Sequence, residues 1–252
     1  MNEEMHIPKI IPEIQKSLYR RIANINLSAK RIVWGKLLNA GQTCVAPDYL
    51  LVEESMKDAL LSAINHYIQV FYGECPERNT EYPKIINQRH FDRLCNLIPN
   101  DLRKANEKTL QIAPAVLPNA SWDSEIMKEE IFGPILPVLT FKSIAEVITK
   151  INKGEKPLAL YLFTTDKETE QEILLKTFFG GGCVNDTIIH VGNNNIPFGG
   201  VGNSGMGRYH GKDSFYSFSH TKSMIKKSNL LDINVRYAPY RDKINLLRKI
   251  MK

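Results

Sequence analysis

Cysteine is scarce in this sequence, and the four present, Cys44, Cys75, Cys95 and Cys183, never fall in a CxxC pair. That spacing excludes a zinc ribbon and offers no disulfide framework, so all four are expected to be reduced thiols. The histidines follow no metal-ligand spacing either, and no metal is expected. Long hydrophobic runs are missing: nothing approaches the roughly 18 apolar residues a bilayer span needs. The N-terminus, MNEEMH, carries acid where a signal or transit peptide would be basic, which makes the cytoplasm the expected compartment. The net charge of +6 comes from scattered lysines and arginines, clustered only in KSMIKKS (222–228) and in the tail 241–252. A nucleic-acid partner is therefore not expected, because the basic stripe such binding requires is absent.

What remains is the composition of an ordinary folded chain. With 252 residues, 43% of them hydrophobic, it is long enough for one to two domains with a sizeable core. Residues 12–25 place Ile14, Leu18, Ile22 and Ile25 three or four apart, the spacing of a short amphipathic helix. A second helical stripe over 28–40 aligns Ile32, Val33, Leu37 and Ala40, and Gly41 supplies a residue suited to the left-handed conformation that ends a helix. DYLLV (48–52), PILPVLTF (134–141) and PLALYLFT (157–164) read as buried strands. Between them lie a helical stripe through Met56, Leu60, Ala63, Tyr67 and Phe71, a helix opened by the capping-box pair Ser143 and Glu146, and another capped by Asp166. GGCVND (181–186) begins a further extended piece. Apolar strands alternating with helices predict an α/β fold with a mostly parallel sheet covered by helices.

Two stretches invite a chemical reading. Gly200, Gly202 and Gly205 have G-x-G-x-x-G spacing, but NNNIPF precedes them in place of a strand, and Ile225 stands where the ribose-binding acid belongs. A tight structural loop is the better reading of that segment. Cys44, in GQTC, follows a helix end. Taken alone, it reads most simply as a small core thiol, since free cysteine is among the most buried residue types. The negative end of the helix dipole also opposes a thiolate there.

Four stretches change that balance. GKLLNAGQTCVAPDYLLV, EEIFGPILPV, KPLALYLFT and IPFGGVGNSGMGRYHGKDSFYSFSHTKS, in this order, resemble signature segments of the aldehyde dehydrogenase superfamily. Its class 3 branch, acting on fatty and aromatic aldehydes, is the nearest in pattern, and the likeness runs from about Ile22 to about Lys227. The resemblance implies that Cys44 is the nucleophile, forming a thiohemiacetal and then a thioester, with its backbone N–H in the oxyanion hole. It further implies that Glu130 holds the nicotinamide ribose hydroxyls of NAD or NADP, that Phe132 packs near the nicotinamide, and that His210 lines the substrate mouth. Asn185 and Phe198 read as loop-fixing and packing positions. His190, His210 and His220 suggest a cysteine–histidine dyad, but the family's thiol is not served by a histidine base.

The implied organisation is a non-matching N-terminal helical segment (1–21), a catalytic domain (22–213), an oligomerisation strand region (214–228) and a basic amphipathic tail (229–252). Partners implied are an aldehyde and a second chain, as homodimer or heterodimer; the tail helix fits a partner face better than a membrane surface. The family's Rossmann-like domain, oxyanion-hole asparagine and ELGGK glutamate have no counterpart among these residues, and the segment after 96–101 lacks the usual Gly-rich strand and turn, as if an edge strand were lost. The expectation is an aldehyde dehydrogenase portion with little or no activity alone; the alternative is a non-catalytic dimerisation or regulatory fragment of a full-length homologue.

Overall fold

The computed structural model describes residues 16–19, 24–232, 234–240 and 243–250. In chain order the strands are β1 (Lys16–Tyr19), β2 (Tyr49–Glu53), β3 (Ala105–Asn106), β4 (Gln111–Ile112), β5 (Ala115–Leu117), β6 (Ile135–Phe141), β7 (Ala159–Phe163) and β8 (Gly181–Val184). The helices are α1 (Ile25–Leu37), α2 (Lys57–Tyr72), α3 (Gln88–Leu97), α4 (Ile144–Lys153), α5 (Lys167–Lys176), α6 (Gly211–Ser217) and α7 (Ile244–Ile250). Six strands form one sheet in the order β5-β6-β2-β1-β7-β8, and every adjacent pair is parallel. β3 and β4 make a separate antiparallel ribbon, and β5 is the edge strand beside β6.

The near-continuous apolar strands are explained by burial on both faces. Leu50, Val52, Val138 and Tyr161 point to one side, where Ile32 and Val33 of α1 and Leu60 and Ile64 of α2 cover them. Tyr49, Leu51, Leu139 and Leu160 point to the other, against Val147 and Ile151 of α4 and Ile173 of α5. A third cluster packs Phe91 and Leu94 of α3 against Ile112, Ile131 and Ile135. The helix starts follow the sequence. Ser143 Oγ accepts the Glu146 N–H at 3.2 Å, and Asp166 accepts from the backbone of Glu168 and Thr169.

One expectation is corrected. Within the stretch 12–25 expected as a helix, Lys16–Tyr19 is a strand between β2 and β7, in the middle of the sheet, and α1 starts at Ile25, capped by Asn24. The spacing of Ile14, Leu18, Ile22 and Ile25 is local information, whereas a central strand is selected by its two neighbours. Residues 12–15 and 20–23 lie outside the described residues. Residues 214–228 hold the end of α6 and then no regular structure as far as 228. An oligomerisation strand there would need a partner chain to pair with.

The chain divides into two units, one ending at Phe218 and the other starting at Ser219. In the second, Asp232 gathers Lys227, Arg236 and the Tyr237 hydroxyl, and Met224, Ile225, Leu230 and Leu231 are exposed. The expected tail helix 241–252 is seen as α7; residues 241, 242, 251 and 252 lie outside the described residues. Among the described residues, no helix is long and apolar enough to cross a membrane, and no group of side chains has the makings of a metal site.

Candidate active site

The site begins where α1 stops. Helical geometry ends at Leu37, earlier than the apolar stripe suggests, and Asn39, Ala40 and Gly41 follow in succession with φ of 53°, 53° and 75°. This left-handed run is costly for Asn39 and Ala40 and needs support from its surroundings. Gln42 provides it. Its Nε2 donates to the carbonyls of Asn39 at 3.1 Å and Lys84 at 3.0 Å, and its Oε1 accepts the Ile86 N–H at 2.9 Å. The chain then makes a turn closed by Ala46 N–H on Thr43 O at 3.0 Å, with Cys44 at the second position.

Cys44 is exposed, while Val45 behind it is buried. The Val45 carbonyl accepts a hydrogen bond of 2.7 Å from the hydroxyl of Tyr161 in β7. Cys44 opens onto a groove of about 680 Å³. Leu158, Phe198, Met206, Tyr209 and Phe218 give the groove apolar walls; Arg208 supplies a charge, and Ser204, Ser217, Gly199, Gly200 and Gly207 complete it. The glycine-rich segment is thus a tight loop beside the thiol. A Cβ on Gly200 would meet Ser204 O at 1.9 Å, and one on Gly199 would meet Gly207 O at 2.3 Å, so the loop closes only with glycine.

A second loop, residues 128–134, is tied to the first. Gly41 lies so close to Gly133 that a Cβ on it would sit 2.3 Å from Gly133 O. Asp48, four residues past Cys44 and 5% exposed, accepts the Ile131 N–H at 3.0 Å. Arg93 of α3 donates to the carbonyls of Glu130 and Ile131 and to the Glu129 carboxylate. Beneath the loop, Lys36 is 2% exposed. Burial brings its ammonium down to about 8, opposed by the attraction of Asp48 and Glu130. Burial likewise pushes the Asp48 carboxyl up to about 6, opposed by Lys36, by the Ile131 N–H and by Arg93. Glu130 is half-buried on this loop; Phe132 is 40% exposed, at a φ of 50°.

A model of the aldehyde dehydrogenase family matches residues 20–224. This chain belongs to the aldehyde dehydrogenase family. It is 45% identical over 236 residues to the 4,4'-diaponeurosporen-aldehyde dehydrogenase of Staphylococcus aureus, a match covering 91% of this chain and 51% of that protein. It is 40% identical over 222 residues to the dimeric NADP-preferring aldehyde dehydrogenase of Canis lupus familiaris, covering 86% and 49%. A solved structure of Staphylococcus aureus AldH in a substrate-bound state superimposes with a TM-score of 0.88 at 43% identity, over 96% of this chain and 54% of that one. The chain thus spans about half the length of these relatives. The bovine NADP-preferring aldehyde dehydrogenase, 39% identical, is covered to 86% of its length.

Within this aldehyde dehydrogenase frame, the loops bearing Cys44 and the pair Glu130 and Phe132 are held side by side through Gly41 and Gly133. His210 is not among the residues lining the groove. Its ring stacks on Phe198 at 6.2 Å with Nδ1 on the Ile196 carbonyl, and the neighbours Arg208 and Tyr209 line the groove in its place. Asn185 fixes a loop, bonding both ways to the backbone of Thr164, and Phe198 is core. A thiol–imidazole contact does exist, between Cys183 and His190 at 3.6 Å. Burial raises the Cys183 thiol and lowers His190, so the pair is neutral and unsuited to nucleophilic attack.

Sequence reasoning missed Tyr161, Lys36, Asp48 and Arg93. Lys36 carried a usable signal, a charge on the buried stripe of α1, and Asp48 lay within APDY. Arg93 and Tyr161 act across 38 and 116 residues of sequence and left no local trace.

Proposed function

We propose that this chain carries the nucleophile half of an NAD(P)+-dependent oxidation of an apolar aldehyde to its carboxylic acid. The observation that carries the reading is the exposed Cys44, on a turn held at both ends, opening into a groove with apolar walls. The Cys44 sulfur attacks the carbonyl carbon, and its backbone N–H stabilises the oxyanion that forms. Once the aldehydic hydrogen has left with its electron pair, Cys44 holds a thioester. The half-buried Glu130 carboxylate suits two vicinal ribose hydroxyls, and the exposed ring of Phe132 offers a flat apolar face beside it. NAD or NADP, when bound, supplies the hydride acceptor. Among the described residues lining the groove there is no aspartate, glutamate or histidine, so activation of water for thioester hydrolysis lacks a general base worth typically ~10²–10⁴-fold.

The test is NADH or NADPH fluorescence with medium-chain and aromatic aldehydes, with and without the added N-terminal half of a family member. Turnover in the complemented sample supports the reading, and silence in both samples contradicts it. A second reading, a dimerising or regulatory portion that pairs with a full-length homologue, is favoured by the exposed Met224, Ile225, Leu230 and Leu231. Light scattering that finds only monomer, alone and in mixtures with such a homologue, contradicts that reading.

A further inference from the structure

Exposed turns ordinarily move, because few contacts restrain them. The turn at Thr43–Ala46 is restrained on its N-terminal side by the three hydrogen bonds of Gln42. On its C-terminal side a bond of a different kind restrains it, from the fully buried Tyr161, 0% exposed, to Val45 O at 2.7 Å. Tyr161 stands in the interior of the sheet, in register with Ser17 of β1 on one side and Cys183 of β8 on the other, so its ring is carried by a strand paired on both sides. The His190 ring meets it edge-on at 5.8 Å. Burial holds the hydroxyl far above its ordinary titration range, so it is always a donor.

We infer that Tyr161 is a positioning residue for the nucleophile: by fixing the Val45 carbonyl it holds the Cys44 backbone where its N–H can meet a developing oxyanion. The inference rests on Cys44 being the nucleophile proposed above. Oxyanion donors work only at about 2.7–3.1 Å from the oxygen, and a displacement of about 1 Å can cost about 10²-fold. Losing the clamp should therefore slow chemistry that passes through an oxyanion more than chemistry that does not.

Two reactions of the same sulfur separate these cases. With p-nitrophenyl acetate the thiolate forms a C–S bond, the carbonyl electrons move onto oxygen, and collapse expels p-nitrophenolate. With iodoacetamide the thiolate displaces iodide directly, without an oxyanion. Both rates are measured from pH 6 to 10 in the wild-type chain and in Tyr161→Phe, with Cys44→Ser as the blank. The expected result is acylation at least about tenfold slower in Tyr161→Phe, alkylation at Cys44 within about twofold, and an unchanged pH midpoint for alkylation. Equal losses in both reactions, or no loss in acylation, overturn the positioning role. A wild-type chain that gives no p-nitrophenolate burst above the blank contradicts the nucleophile reading itself, and this role with it. Should Tyr161→Phe fail to fold, amide exchange in the wild type decides: Ala46 should exchange as slowly as β7, and exchange at the rate of free loops overturns the clamp.

Discussion

Lys36 and Asp48 give up their hydration inside the protein, and each is the other's largest electrostatic support. Asp48 titrates higher in the fold than in an unfolded chain, so the stability it adds is complete below about pH 4 and is lost as the pH rises through about 6. Lys36 titrates lower in the fold, so its contribution is complete above about pH 10.5 and is lost as the pH falls through about 8. Both effects make the pair most costly between about pH 6 and 8. Lys36→Met removes the largest attraction that keeps Asp48 ionised at neutral pH and leaves its buried carboxylate to the Ile131 N–H and Arg93. Urea unfolding should show a loss of about 3–5 kcal/mol at pH 7 and a clearly smaller loss at pH 5, where Asp48 takes up a proton. An equal loss at both values would mean that Asp48 does not carry the charge. Asp48 was visible in the motif APDY, but its partner in the fold, the Ile131 N–H, lies 83 residues away and was not.

Secondary-structure elements followed the pattern of apolar residues wherever burial and local spacing agree. β2, β6, β7 and β8 and the helices α2, α4 and α5 fall within or close to the stretches read from sequence, and the parallel sheet follows from strands that are apolar on both faces. β1 could not be read this way, because KSLY is selected by two neighbouring strands. Deleting residues 1–19 would leave β2 and β7 with unpaired edges in the middle of the sheet. The expected outcome is a chain that aggregates or loses its cooperative thermal transition; a monomer with unchanged unfolding would show that β1 is dispensable. At the site, Gly41→Ala must fit a Cβ against Gly133 O at a φ of 75°. A loss of about 2–4 kcal/mol in urea unfolding is expected, together with slower acylation of Cys44, because the same contact joins the two loops.

For the molecule as a whole, the chemistry splits into a part these residues supply and a part they do not. The proposed nucleophile Cys44, its turn and the apolar groove lie within the unit that ends at Phe218, whereas no described residue lining that groove offers a base for the proposed second step. An acyl group placed on Cys44 should therefore persist. Of the other three thiols, Cys95 is buried, Cys183 is half-buried and paired with His190, and Cys75 is exposed but lines none of the groove. Peptide mapping by mass spectrometry after brief exposure to p-nitrophenyl acetate reads this out most directly. The account predicts a single acetyl group, on Cys44, lasting for minutes and absent from Cys44→Ser; acetylation spread equally between Cys44 and Cys75, or none on Cys44, would contradict it.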